Sequence, residues 1–295
     1  MSRKYLRKEE AAQQGWYCLK DLKTLFRLKP SPRQAPSGEV WQGQGSYYVY
    51  AKDACLPMRP YRQPSEAQLN ALAQGRELIG TAQCNNCKNR FPDWFLGNNS
   101  LCENCGTLKR LSYCIDTAQQ WLSGETAVVL DTETTGLDDQ AEIVEICIID
   151  LQGKPLLNTR IRPTRPIPAA ATDIHGIRDI DVQNAPSWAD IHDEFCSIIA
   201  GRSVLIYNAE YDVRLLSQTA DLHELQVPTL QSHCAMKLYA YWHGDLQHNG
   251  NYRWQKLQTA AQQCGIDCSS AHQALADCLM TLGIIRHIET YQIPQ

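Results

Sequence analysis

Val129-Leu-Asp-Thr-Glu-Thr-Thr-Gly136 is the stretch on which the reading of this chain turns. Its opening residues continue Ala127-Val128 into an apolar run, Ala127-Val-Val-Leu130, which predicts a buried strand with Gly136 at the turn that follows. The strand closes in Asp131-Thr132-Glu133. Side chains two apart on a strand share a face, so both carboxylates can meet one cation. Without a cation, two acids placed so close repel each other.

Working outward, strands are expected over residues 142–150 and 156–162, with Gly136 and Gly153 at the turns, giving an antiparallel meander that starts near Thr126. Pro186-Ser187-Trp188-Ala189-Asp190 caps a helix carrying Trp188, Ile191, Phe195, Ile198 and Ile199, stopped by Gly201. Val204-Leu-Ile-Tyr207 is then a short buried strand feeding a helix with Leu215 and Leu216. Strands, helix, strand and further helices in this order imply a mixed sheet with helices packed on it.

Asp212 follows the fourth strand at the start of its helix, and Asp277 lies in the last helix, Ala274-Leu-Ala-Asp-Cys-Leu-Met-Thr-Leu. On a regular helix a five-residue offset turns His272 about 140° away from Asp277, so the two share a site only if His272 sits on the irregular approach to the helix. Ser269-Ser270 just before it favours that. Taken alone, an Asp-x-Glu is a solvated strand end and a His-x-Ala-x-x-Asp a helix start; it is their order within a fitting α/β pattern that carries the functional reading. Glu145, on the second strand, is either a further acid near the metals or an acid exposed by strand alternation, the latter being favoured, and Trp254 and Leu257 are expected to pack the helix before Gly265.

The segments Val129 to Gly136, Tyr207-Asn-Ala-Glu-Tyr-Asp212 and His272-Gln-Ala-Leu-Ala-Asp277 resemble the three motifs of the DEDDh (DnaQ-like) 3′–5′ exonucleases, which include proofreading subunits and exonuclease X-type enzymes. The resemblance runs from about residue 125 to 290, and His175-Gly176-Ile177 and Cys234-Ala235-Met236 also resemble family features. It implies a ribonuclease H-like fold. It also implies that Asp131, Glu133, Asp212 and Asp277 hold two Mg²⁺ or Mn²⁺ ions, that His272 is the general base, and that 5′-mononucleotides are released. Thr134, Gly136, Leu137, His175 and Asn208 would contact the terminal nucleotide. Hard oxygen ligands suit these ions, and paired ions suit phosphodiester hydrolysis. DNA is the expected substrate because Asp-Thr-Glu-Thr-Thr-Gly resembles the proofreading and exonuclease X branch; RNA is the rival.

Upstream lie Cys84-Asn-Asn-Cys87 and, after 14 residues, Cys102-Glu-Asn-Cys105-Gly106. Two such knuckles supply the four sulfurs of a closed tetrahedral Zn²⁺ site, so residues 81–115 are expected to form a zinc ribbon; a redox role for either pair is the less favoured alternative. Residues 116–124 read as a linker helix and residues 125–292 as the exonuclease domain. Residues 1–80 read as a small α/β module of unnamed role: Leu19, Leu22, Leu25 and Leu28 on a helix stopped by Pro30, a strand over 43–50, and a helix opened by the Ser65/Gln68 capping box that would bury Leu69, Leu72 and Leu78.

Residues 1–116 carry 17 Lys+Arg against 10 Asp+Glu, and residues 117–295 carry 11 against 22, so the parts are +7 and −11. The basic part, with Trp16, Tyr47, Tyr48 and Tyr61 among its aromatics, either tracks a phosphate backbone and stacks bases or is a solvated basic face over an aromatic core. Overall, 43% apolar and 20% charged residues suit a globular protein. The first residues lack a secretory apolar region and no run approaches the ~20 apolar residues of a membrane span, so the cytoplasm is the expected address and the 13 cysteines are expected as thiols or metal ligands. The expected activity is a metal-dependent 3′–5′ exonuclease acting on nucleic acid 3′ ends, with the zinc-ribbon part aiding substrate or protein-partner binding. The competing class is a zinc-ribbon binding adaptor that retains a nuclease fold as scaffold.

Overall fold

The computed structural model describes residues 5–293 except 44, 98, 125, 270 and 271, and the chain divides into two compact units, Met1–Ile79 and Gly80–Gln295. Ser270, invoked above, lies outside the described residues.

In the first unit a three-stranded antiparallel sheet is built from Trp16–Tyr17, Gly45–Ala51 and Gly38–Gln42, with Ala11, Val40 and Val49 as its small core. The leucine stripe starting at Leu19 gives a short helical turn and a π-turn over Leu22–Phe26, after which Leu28–Lys29 is already extended. Leu22 is buried, but Leu19 and Leu25 stay exposed. The capping box forms as expected: Ser65 N–H donates to Gln68 Oε1 at 2.9 Å and the Gln68 N–H to Ser65 Oγ at 3.3 Å, opening the helix Glu66–Glu77. Its leucines are not buried, however. Leu69, Leu72 and Leu78 are all about half exposed, so the capping box and good helix formers, not burial, account for this helix.

The second unit begins with an antiparallel hairpin, Thr81–Gln83 with Arg90–Pro92, which holds the first cysteine pair at its turn. The second pair opens a 20-residue helix, α1 (Glu103–Leu122), so the helix expected over 116–124 is the last part of a longer rod that starts in the cysteine knuckle. Strands β1 (Val128–Thr134), β2 (Ile143–Asp150), β3 (Pro155–Arg160), β4 (Ser203–Ile206) and β5 (Gln231–Cys234) follow, with sheet order β3-β2-β1-β4-β5. The first three pair antiparallel as the meander reading required, and β4 runs parallel to β1 and β5. The sheet is therefore mixed. β5, polar along its length, carried no strand signal of its own.

Helices cover both faces. Val128, Leu130, Ile146, Ile148, Val204 and Ile206 pack with α2 (Trp188–Ile199) and α3 (Ala209–Leu222), while Val129, Cys147, Ile149, Leu205 and Tyr207 pack with α1, α4 (Ala235–His243), α5 (Leu257–Gln263) and α6 (Ala274–Glu289). Alternation along each strand assigns the two sets to opposite faces. Because both faces are covered, the strands read as continuous apolar runs, and each fully buried Ile or Leu stabilises by about 1.5–3 kcal/mol. Among the described residues no helix is long and apolar enough to cross a membrane.

Candidate active site

Asp131 and Glu133 stand on the face of β1 shared with Val129, at its carboxyl end, and Asp277 meets them from the first turn of α6, which packs on that face. Carboxylate oxygens of all three lie within 4.8 Å of one another. Asp212 comes from the first turn of α3 and does not join this set; its Oδ1 accepts the hydroxyl of Thr132 at 2.7 Å, and it is buried. It is near enough for its charge to act on the others.

Electrostatics show what this arrangement costs. Burial, then the charges of Asp212, Asp277 and Glu133, push Asp131 well above the ordinary carboxylate range. Burial, with Asp277, Glu145 and Asp212, pushes Glu133 up to about 8, and burial outweighs the Thr132 hydrogen bond to push Asp212 up to about 7. Burial also raises Asp277. Buried like charges of this kind are stable as ions only beside cations, and oxygen-only donors suit hard divalent ones.

His272 sits before α6 rather than on it, in a left-handed backbone conformation with φ 67°, which resolves the angular problem posed by its five-residue offset. Its backbone N–H donates to Asp277 Oδ1 at 3.2 Å. The ring turns toward α5, where the Gln258 amide nitrogen lies 2.9 Å from Nε2 and donates to it, leaving the ring proton on Nδ1.

The turn after the first motif is fastened from several sides. Tyr211 Oη donates to the Gly136 carbonyl at 2.8 Å and lies 2.6 Å from the Thr134 hydroxyl. His175 ends the helix Ala169–His175; its Nδ1 accepts the Ile177 N–H at 3.0 Å, so Nε2 donates to the Thr134 carbonyl at 3.2 Å, and burial holds its pKa down. Arg214 donates to the carbonyls of Leu137 and Asp138, and Leu137 itself is 80% exposed. Asn208 precedes α3, and its backbone carbonyl accepts the Tyr211 N–H at 2.9 Å.

Two supports were not singled out by sequence reasoning, Tyr211 and Gln258, and a third, Glu145, was given the wrong one of its two readings. Glu145, assigned a solvated role, lies directly across from Glu133 in the β1/β2 register and accepts the Ala274 N–H at 3.0 Å, with Arg160 Nε 3.6 Å from its other oxygen. The residue preceding α6, Gln273, makes no side-chain cap, so Glu145 reaches from the sheet to cap the helix that carries Asp277. A glutamate facing a glutamate on paired strands is unfavourable, and that juxtaposition was the available clue.

The profile of the RNase_T exonuclease family matches residues 128–285, from the start of β1 through most of α6. This chain belongs to the DnaQ-like (DEDDh) 3′–5′ exonuclease family. The exonuclease is 49% identical over 175 residues to an uncharacterized exonuclease of Escherichia phage 186, spanning 57% of this chain and 90% of that protein. It is also 36% identical over 112 residues to the DNA polymerase III epsilon subunit of Rickettsia prowazekii, spanning 36% of this chain. The match covers about half the length of that epsilon subunit, 47%. Among solved structures, exonuclease X in complex with 5′ overhanging duplex DNA is similar at 25% identity with a TM-score of 0.44, covering 56% of the exonuclease and 92% of that chain. Exonucleases of this kind use divalent metal ions, and the raised carboxylates of the site fit them.

The second cluster is made of sulfur. The Sγ atoms of Cys84, Cys87, Cys102 and Cys105 lie within 4.8 Å of one another. The Cys102 N–H points to Cys84 Sγ at 3.4 Å and the Asn86 amide to Cys105 Sγ at 3.4 Å. Burial opposes ionisation of Cys84, but N–H groups of Cys102, Asn86 and Cys87 together with the Cys87 thiol bring it down to about 6.

Proposed function

We propose that the protein removes 5′-mononucleotides from the 3′ ends of DNA, with Asp131, Glu133, Asp212 and Asp277 holding two Mg²⁺ or Mn²⁺ ions. The observation that carries this reading is the convergence of three carboxylates from β1 and α6 within 4.8 Å, each raised by burial. When bound, the paired ions supply charge stabilisation for the entering and leaving oxygens of the phosphodiester. The chain supplies the rest. His272, on the exposed approach to α6, takes the proton of the attacking water once its ring leaves Gln258, a role suited to imidazole near neutral pH. Thr134, Gly136, Leu137, His175 and Asn208 border the place of the terminal nucleotide, and the Tyr211 and Arg214 hydrogen bonds keep that border rigid. DNA is preferred because the first motif is of the proofreading type and the epsilon relatives belong to a DNA polymerase.

Cys84, Cys87, Cys102 and Cys105 would hold one structural Zn²⁺; two N–H···S contacts orient the sulfurs as outer-shell groups do in such sites. The basic Met1–Ile79 unit is proposed to aid substrate or partner binding. Incubating end-labelled single-stranded DNA, duplex DNA and RNA with enzyme and Mg²⁺ tests the reading: mononucleotides released from DNA 3′ ends are expected. A ladder from RNA alone reassigns the polymer, and no metal-dependent cleavage of any substrate removes the enzyme reading.

A further inference from the structure

We propose that a trough across α1, α4 and the segment before α5 seats the single strand 5′ of the nucleotide being removed. Three cavities, of ≈ 600, ≈ 570 and ≈ 720 Å³, share walls on this layer. Tyr241 borders all three, Tyr113 joins the first to the third, and Tyr252 joins the second to the third, so they form one continuous depression. The rings run edge to face, with centroids 5.8 Å apart for Tyr113 and Tyr241 and 5.0 Å for Tyr241 and Tyr252.

One end lies beside the catalytic edge. In the parallel β1/β4 pair Leu205 stands opposite Val129, so two residues on, Tyr207 is level with Asp131 and on the same face. The Tyr207 hydroxyl donates to the Gln255 carbonyl at 2.9 Å, and its carbonyl accepts the Met236 N–H at 2.8 Å. These bonds fix Trp254-Gln255 and the start of α4 against the end of β4, the strand beside β1 and its carboxylates. Trp254, expected to be packed, is instead 60% exposed and borders the trough, and Gln258, four residues on, touches His272. The other end is bordered by Cys102 and Gly106, in the cysteine knuckle.

Charge points to the same occupant. Lys109, Arg110, Lys237 and Arg253 border the trough against one acid, Glu103, although residues 117–295 carry a net −11. Lys237 and Arg253 are steadied by Glu210 and Asp245. Arg110 donates to the carbonyls of Tyr241 and Trp242 at the end of α4; a Cβ at Gly244 would fall 2.6 Å from its guanidinium, so glycine there is required for that arrangement. Exposed aromatic faces interleaved with fixed cations suit unstacked bases on a phosphate backbone, whereas a docking helix would need a continuous apolar strip.

The proposal rests on the exonuclease reading, and the test separates the two. Full-length, zinc-loaded enzyme and the double variant Trp254→Ala/Tyr113→Ala are compared on a dinucleotide and on a twenty-nucleotide single strand, as DNA and as RNA. Removing two stacking platforms is expected to raise KM for the long strand about tenfold more than for the dinucleotide. Equal factors on both lengths, or no change on either, overturn the trough. Lys109→Ala should lower the salt dependence of long-strand binding by about 0.7 in log–log slope for each phosphate it leaves without a cation. If wild-type enzyme cleaves nothing, the catalytic reading fails. Fluorescence anisotropy of the labelled twenty-mer then still decides the trough: about tenfold weaker binding by the double variant supports it, and equal binding overturns it.

Discussion

The two clusters of the Gly80–Gln295 unit that could hold metal ions are built on opposite terms. The four cysteines rest on a two-stranded hairpin and the tip of α1, and the side chains around them amount to Phe91, Leu96 and Leu101. Asp131 and Glu133 rest on β1, whose neighbours are buried on both faces by two large apolar clusters. So little core gives the knuckle small support of its own, and the proposed Zn²⁺ would supply folding energy there. Around the acids the apolar core is ample and the charge is the burden: the fold holds partly or fully buried carboxylates close together, and a cation would relieve that strain.

The sharpest way to break this contrast is Asp131→Ala. Loss of a ligand at the centre of the acid set is expected to lower exonuclease activity by about 10³-fold or more, since several kcal/mol of charge stabilisation depend on it. The metal-free protein should melt no lower than wild type, because a buried like charge has been removed. Retained activity would move the chemistry away from this cluster, and a much lower melting temperature would show that the acids support the fold after all.

Next in size is the sulfur side. Replacing Cys84 and Cys87 by Ser should strip the zinc and lower hydrogen-exchange protection of the Thr81–Gln83/Arg90–Pro92 hairpin by about 10²-fold or more, while protection of β1 and β2 stays high. Simultaneous loss in both regions would mean that the knuckle also supports the catalytic sheet.

A pH titration separates the clusters by sign. Glu133 rises from an ordinary 4.5 to about 8 and Asp212 from 3.8 to about 7, so across that window the folded chain binds more protons than the unfolded one. Metal-free stability should therefore fall as pH rises from about 4 to about 8. Mn²⁺ should reverse the trend, its apparent affinity rising by up to about tenfold per pH unit for each proton displaced. A flat metal-free melting profile over this range would contradict the raised carboxylates.

The smallest expected effect concerns Glu145. Glu145→Ala removes the acceptor for the Ala274 N–H and should lower kcat by about three- to tenfold, as loss of a helix cap of about 1 kcal/mol implies, with KM little changed. Glu145→Gln keeps an acceptor and should recover most of the loss. If both variants behave alike, the charge rather than the hydrogen bond is what α6 needs.

These contrasts also mark how far the chain could be read before it was folded. The meander, the mixed sheet and the place of Asp131, Glu133, Asp212 and Asp277 on strand ends and first helical turns were legible because burial on both faces makes apolar runs and caps make boundaries. Leu69, Leu72 and Leu78 misled because a helical stripe states only that a face can be buried, not that a partner covers it. β5 was silent because Gln231-Ser-His-Cys234 gains its strand from pairing with β4, not from its own residues.

The sequence by itself determined which chemistry is present: its order of carboxylates, histidine and paired thiols is local, and side-chain donors are a property of residue type. Only the tertiary structure decided how those groups are held. It separated Asp212 from the tight three-carboxylate set, turned the His272 ring to Gln258, made Glu145 the cap of α6 and left Trp254 exposed beside a cation-lined trough. Each of these arrangements joins residues distant along the chain, set by sheet register and helix packing, and no local pattern encodes it.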